Sequence, residues 1–202
     1  MSGEILLARD GDIATVTLSN PGRLNALGLG SWKRLGEVMR ELDADKSLGC
    51  IVMRGAGDKA FAAGADISEF ETTRRNAKSA KKYGAVLEAT MGAIARCRHP
   101  IVAMIHGVCV GGGLEVITQC DLRICGASSR FGIPIKNLGL VVGYGEMQGL
   151  IALVGRARRG LRLLRHRGLQ DRREGVSREK KAGVQRPVAR SSAGRNGDRK
   201  SA

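Results

Sequence analysis

The run PIVAMIHGVCVGGGLEVITQCDLRIC, residues 100–125, decides the fold. Its first part, residues 101–105, is a short uninterrupted apolar run and reads as a strand buried on both faces. His106-Gly107 supplies a turn. Gly111-Gly112-Gly113 then opens a helix predicted over residues 114–120, and residues 122–125 form a further strand. Strand, glycine-opened helix and strand in such close succession predict an α/β domain. The three glycines let a ligand approach the main chain with no Cβ in the way. The first N–H groups of a helix have no partner inside it, so they can donate to a developing negative charge. Glu115 stands three residues past Gly112, about one helical turn, and brings a carboxylate toward the same small volume.

The preceding sequence follows the same logic. Residues 4–8 and 13–19 are β-prone runs around Arg9-Asp10-Gly11-Asp12, and Asp-Gly is a strong hairpin signal. Asn20-Pro21-Gly22 ends the second strand. Trp32, Leu35, Val38, Met39 and Leu42 recur at helical spacing and predict a helix over residues 31–43, with Ser31 placed to cap it. Residues 50–54 read as a buried strand closed by Gly55-Ala56-Gly57. Tyr83, Val86, Leu87, Thr90, Met91 and Ile94 mark a second long helix ending near His99-Pro100. Between these, the small residues of Phe61-Ala62-Ala63-Gly64-Ala65-Asp66-Ile67 predict a linker of exposed main chain, able to offer another N–H donor.

Composition excludes several classes of function. The chain has 202 residues, of which 43% are hydrophobic, with a mean hydropathy of −0.14, so it can build a core. Twenty-nine glycines without a Gly-X-Y period exclude collagen. The net charge of +15 suggests nucleic acid until it is located. Residues 1–155 hold 18 Lys and Arg against 15 Asp and Glu, whereas residues 156–202 hold 16 against 4. The basicity therefore belongs to the end of the chain, which lacks any aromatic side chain for stacking on bases.

No basic start precedes an apolar segment at the N-terminus, and no apolar run is long enough to span a bilayer, so the expectation is a cytoplasmic protein without a membrane partner. Cysteines 50, 97, 109, 120 and 125 show neither CxxC nor zinc spacing and are expected to be buried free thiols. No metal site is expected. Gly55-Ala56-Gly57-Asp58-Lys59-Ala60 has a dinucleotide-loop form, but no helix follows it and no acidic residue stands about 20 positions on. No G-x-S-x-G elbow or Ser/His/Asp order is present, and His106 reads as a turn residue.

Five ordered motifs carry a family resemblance: Asn20-Pro21-x-x-x-Asn25-Ala26-Leu27; Phe61-Ala62-Ala63-Gly64-Ala65-Asp66-Ile67; Pro100-Ile101-Val102-Ala103 with His106-Gly107; Gly111-Gly112-Gly113-Leu114-Glu115 with Cys120-Asp121-Leu122-Arg123; and Arg130-Phe131-Gly132-x-Pro134. Together they resemble the enoyl-CoA hydratase/isomerase (crotonase) family over residues 4–157. The resemblance implies a spiral of ββα units and a homotrimer or hexamer. It also implies an acyl-CoA thioester substrate, with no cofactor beyond the coenzyme A that the substrate carries. By motif position, the Ala65 and Gly112 amides form an oxyanion hole for the thioester oxygen. Glu115 is one of the two glutamates used for hydration. Arg23, Leu24, Ala63, Asp66, Ile67, Gly111, Ile135 and Gly143 are expected along the substrate and coenzyme A path.

One position departs from the pattern. The second hydratase glutamate would stand at 135, where this chain has Ile135, a side chain that cannot transfer a proton. Ordinary two-glutamate hydration and the matching isomerisation are thereby put in question. Hydrolysis, decarboxylation and carbon–carbon cleavage are the other enolate reactions the family runs. An inactive acyl-CoA-binding remnant is a further alternative, and Tyr144 or Glu146 is a candidate replacement group.

The organisation expected is a crotonase-like domain over residues 1–157 and an atypical or poorly ordered basic tail over residues 158–202. The family pattern would continue with apolar helices, but this chain turns to arginine, glycine and serine. The expectation is a reading-frame shift near residue 158. A basic arm for nucleic acid or an anionic membrane is the rival reading, weakened by the missing aromatics and amphipathic face.

Overall fold

Two strands, β1 (Glu4–Asp10) and β2 (Ile13–Ser19), pair antiparallel from Glu4 opposite Ser19 to Asp10 opposite Ile13. The tight turn between them has Gly11 at φ +58°, a left-handed conformation that suits glycine. The computed structural model describes residues 3–134 and 144–155. The predicted strands at 50–54, 101–105 and 122–125 become β3 (Cys50–Gly55), β5 (Ile101–Ile105) and β7 (Leu122–Cys125). All three run parallel, giving a sheet of order β1-β2-β3-β5-β7.

A second sheet has three short parallel strands, β4 (Ala60–Ala62), β6 (Val108–Val110) and β8 (Arg130–Gly132), in the order β4-β6-β8. The helices are α1 (Leu29–Ala44), α2 (Phe70–Thr73), α3 (Ala77–Ala95), α4 (Gly112–Thr118) and α5 (Tyr144–Val154). From β3 onward the chain repeats one scheme: a strand in the large sheet, a short strand in the small sheet, then helix. β3 and β4 lead to α2 and α3, β5 and β6 to α4, and β7 and β8 to α5. This is the ββα spiral that the motif order implied.

The core lies between the large sheet and the α1–α3 pair. Trp32, Leu35, Val38 and Met39 of α1 are fully buried against Val16, Leu18, Ile51 and Met53 of the sheet. Truncating a fully buried leucine of this kind to alanine typically costs about 2–5 kcal/mol. Thr90 of α3 donates to the Trp32 carbonyl at 2.9 Å, tying the first turn of α1 to the C-terminal half of α3.

Four expectations are corrected. Helix α1 begins two residues before Ser31. Ser31 is buried inside it and donates to the Gly3 carbonyl at 2.7 Å, while Glu69, forty residues away in sequence, accepts from the Leu29 N–H at 2.7 Å. The helix at Gly111-Gly112-Gly113 starts at Gly112 rather than 114, because the glycines themselves form its first turn. Residues 60–62 are a buried strand, with Phe61 wholly inaccessible, because pairing to β6 satisfies a main chain that reads as exposed linker. Only Cys109 and Cys120 are buried. Cys50 and Cys97 are half-buried and Cys125 is exposed on the edge strand β7.

Among the described residues no helix is long and apolar enough to cross a membrane, and no group of three His, Cys, Asp or Glu side chains is placed to hold a metal. Ile135, Gly143 and the tail at 158–202 lie outside the described residues.

Candidate active site

The geometry begins at a loop between β2 and α1. Leu24 and Asn25 both adopt left-handed backbone, at φ +50° and +59°, which costs an ordinary side chain of order 1 kcal/mol or more. Asn25 offsets that cost. Its buried amide donates to the carbonyls of Ala56 at 3.0 Å and Ala60 at 2.8 Å, and its oxygen accepts from the Asn20 N–H at 3.0 Å. The loop is thereby fixed to the turn between β3 and β4. The resemblance quoted Asn25 but gave it no role. A lone buried Asn in a turn that opens with Asn20-Pro21-Gly22 signals a side chain bonding to nearby main chain.

The anchored loop then pairs with the segment after β4. The Ala63 N–H donates to the Leu24 carbonyl at 2.9 Å, Leu27 N–H to Gly64 carbonyl at 2.8 Å, and Asp66 N–H to Leu27 carbonyl at 2.9 Å. Leu27 and Ala65 form a parallel bridge. In such a bridge the central residue uses the groups on either side of its partner and leaves the partner's own N–H and C=O on the opposite face. The Ala65 N–H is that remaining donor.

Helix α4 supplies the second donor. The Gly111 N–H is taken up by the Gly132 carbonyl at 2.8 Å, whereas Gly112 is the first residue of the helix and its N–H has no acceptor within the helix. The two segments touch main chain to main chain. Gly64 has φ +96°, and a Cβ there would lie 3.0 Å from both the Gly112 nitrogen and the Val110 oxygen. A Cβ on Gly112 would lie 3.6 Å from the Ala65 nitrogen and 2.9 Å from Cζ2 of Trp32. The fold therefore brings the Ala65 and Gly112 amides together over the buried Trp32 indole. Glu115 follows in the first turn of α4, half-buried, with its carbonyl accepting from the Thr118 hydroxyl at 2.7 Å.

The remaining expected residues fall on the rim. Arg23 Nη1 donates to Asp66 Oδ1 at 2.9 Å and to the Ser68 hydroxyl at 2.7 Å. Burial pushes the Asp66 carboxyl up, but the hydroxyl and N–H of Ser68 and the Arg23 guanidinium outweigh it and hold the group below the usual carboxylate range. Leu24 and Ile67 are exposed at 41% and 59%, large apolar side chains left facing outward at one edge of the bridge. Ala63 and Gly111 are half-buried.

Behind the amide pair lies an aromatic wall that the sequence reading missed as a unit. Tyr83 of α3 is buried. Burial pushes its hydroxyl up, opposed by the Arg74 guanidinium and the Trp32 indole that face it. The guanidinium carbon of Arg74 stacks 4.2 Å from the ring centres of both Phe70 and Tyr83. The hydrophobic spacing of α3 did mark Tyr83, but only as core.

Comparison with known proteins gives the family. The family model for enoyl-CoA hydratase/isomerase matches residues 8–164. A short-chain-enoyl-CoA hydratase of Clostridium acetobutylicum is 35% identical over 151 residues, covering 75% of this chain and 57% of its own length. A peroxisomal Delta(3,5)-Delta(2,4)-dienoyl-CoA isomerase of Arabidopsis thaliana is 31% identical over 158 residues, covering 73% and 56%. Among solved structures, an enoyl-CoA hydratase/carnithine racemase of Magnetospirillum magneticum superposes with a TM-score of 0.76 at 36% identity, over 89% of this chain and 74% of that one. The chain thus spans little more than half the length of these two sequence relatives. With a ββα spiral, the motifs in their expected order and a family match over most of its length, the chain belongs to the enoyl-CoA hydratase/isomerase family.

Proposed function

We propose that this protein is an acyl-CoA enzyme that holds the negative charge of a thioester enolate on the Ala65 and Gly112 amides, with Glu115 transferring the proton. The observation that carries the reading is the Leu27–Ala65 bridge, which sets the Ala65 N–H on the face that meets the start of α4. Chemistry beside a thioester carbonyl places charge on its oxygen, and one preorganised donor to that charge is worth about 3 kcal/mol. Both donors here belong to the main chain and need no reorganisation as the charge forms.

Hydration of a 2-enoyl-CoA is the first reaction to test, since hydratases are among the relatives. Ile135 removes the second carboxylate, and the loss of a general acid or base costs about 10²–10⁴-fold. One carboxylate and an enolate site suit hydrolysis, decarboxylation or carbon–carbon cleavage equally. The substrate brings its own coenzyme A, so the chemistry calls for no further cofactor. A homotrimer or hexamer in the cytoplasm is the assembly and compartment that accompany this reading, provided the region after residue 157 allows packing. Ile135 also favours a second reading, in which acyl-CoA binds without turnover.

The experiment is incubation with enoyl-, hydroxyacyl- and malonyl-type CoA esters, following product formation and thermal stabilisation together. Turnover of one ester, lost in Glu115→Gln, supports the enzyme. Stabilisation without turnover supports the binding remnant. Neither effect with any ester defeats both.

A further inference from the structure

The C-terminal halves of α1 and α3 flank a groove of about 340 Å³, lined by Arg40, Asp43, Ala89, Gly92, Ala93 and Arg96. It stands apart from the amide pair: Arg40 comes eight residues after Trp32, about 12 Å further along α1. Both walls repeat one arrangement, a glycine four residues before an arginine, as Gly36 and Arg40 on α1 and Gly92 and Arg96 on α3. Helical side chains lean toward the N-terminus, so each guanidinium lies back over its glycine. A Cβ on Gly92 would lie 2.7 Å and 2.8 Å from the two terminal nitrogens of Arg96. A Cβ on Gly36 would lie 3.4 Å from Nη1 of Arg40 and 2.9 Å from the Thr90 hydroxyl of the facing helix. The two glycines thus clear the space that the guanidiniums occupy.

Charge in the groove is one-sided. Arg9, Arg23, Arg34 and Arg98 each reach a carboxylate, but Arg40 and Arg96 form no ion pair or side-chain hydrogen bond among the described residues. The negative ends of helices attract cations, yet no terminal carbonyl holds either guanidinium. The carboxylates nearby are committed elsewhere. Glu37 and Glu41 of α1 turn to Arg34. Asp43, inside the groove, accepts from the Arg98 N–H at 2.8 Å and pairs with its guanidinium at 3.4 Å. Glu88 of α3 is exposed and does not line the groove. With Asp43 matched by Arg98, the two groove arginines leave two positive charges uncompensated.

We propose that this groove binds a small phosphate monoester, with its dianionic head between Arg40 and Arg96 and its organic part along Ala89, Gly92 and Ala93. The planar fork of arginine meets phosphate oxygens two at a time. Two such forks match the charge of a monoester, about −2 near neutral pH. A bare ion would leave most of the groove empty, since sites for small molecules begin at about 300 Å³. The small side chains of the α3 wall leave that room.

The test follows the Gly92 and Ala93 amide resonances of the isotope-labelled full chain while glycerol 3-phosphate or inorganic phosphate is added in about 0.15 M chloride, which screens exposed charge. Local resonances separate this groove from attraction elsewhere on a chain of net charge +15. Saturable shifts are expected with a Kd of about 1 mM or less, the ester binding at least as tightly as inorganic phosphate. Arg40→Gln and Arg96→Gln should each weaken binding about tenfold, the loss of a charge-assisted contact. Both arginines are exposed, so neither change opens the core. Arg75→Gln, exposed elsewhere, should leave affinity within about twofold. Gly92→Ala keeps every charge, but its methyl displaces the Arg96 guanidinium and should weaken binding about threefold or more. Shifts that never saturate, that saturate equally in both arginine variants, or that ignore Gly92→Ala overturn the proposal, since they report only diffuse attraction to a basic surface. Saturation by inorganic phosphate without binding of the ester overturns the choice of ligand.

Discussion

Cζ2 of Trp32 lies 2.9 Å from the point where a side chain on Gly112 would begin. The start of α4 is thus seated on an indole that belongs to α1, eighty residues earlier in the chain. A methyl group at 112 must displace either a fully buried ring or the helix end itself.

Gly112→Ala is therefore expected to cost about 1–3 kcal/mol by overpacking. Adding Trp32→Leu should return part of the loss by removing the ring that the methyl meets. Urea denaturation of both single variants and the double variant measures the coupling. Additive effects would mean that the two residues do not contend for the same space.

Asn25→Ala removes two donated hydrogen bonds and one accepted one, and it leaves a left-handed residue with no compensation. A loss of about 3 kcal/mol is expected, since the carbonyls of Ala56 and Ala60 lose a buried partner. A loss under about 1 kcal/mol would show that water replaces the side chain.

Glu115→Gln keeps the size of the side chain and removes its basicity. Turnover of whichever CoA ester proves active should fall about 10²–10⁴-fold with little change in melting temperature. Unchanged turnover would remove Glu115 from the chemistry.

Acid sensitivity should centre on Asp45. The Ser47 hydroxyl, the Ser47 N–H and then the Arg9 guanidinium lower its carboxyl to about 2 from an ordinary value near 3.8. A group with a depressed folded value stabilises the fold above its unfolded value and loses that contribution as pH falls through the folded one. The melting temperature should drop between about pH 4 and pH 2, and Asp45→Asn should flatten that segment of the curve. Identical curves would assign the drop to other carboxylates.

Thiol labelling should follow burial. Burial pushes Cys109 up, and it pushes Cys120 up to about 12, so both stay protonated and enclosed at pH 8. Cys125, exposed on β7, should alkylate first. Mass spectrometry of the native protein checks the order. Early modification of Cys109 or Cys120 would mean that the core opens on the labelling time scale.

The large sheet was legible because Ile, Val and Met runs such as residues 50–54 and 101–105 admit few other readings. The three strands of the small sheet were not. Each is three residues long, too short to show a period, and their glycine-rich surroundings look like loops. The start of α1 was misread for a different reason: its N–H acceptor is Glu69, brought in by tertiary structure, while Ser31 offered a plausible local cap. At the site, the Gly111-Gly112-Gly113-Leu114-Glu115 run announced a donor-rich helix start. The partner amide at Ala65 came from motif order alone, since no spacing rule relates residue 65 to residue 112. The stacking of Arg74 between Phe70 and Tyr83 left no local trace, because it depends on how α2 folds back on α3.

The bridge between Leu27 and Ala65 also bears on how this site can be lost or engineered. A donor that is part of the polypeptide backbone survives almost any change of side chain, so alanine scanning would pass over it. Proline at 65, which has no N–H to give, or a change at 27 that tilts the ladder, would silence it instead. Sequence drift at these positions can therefore be wide while the amide stays in place, and its loss would arrive through geometry before composition.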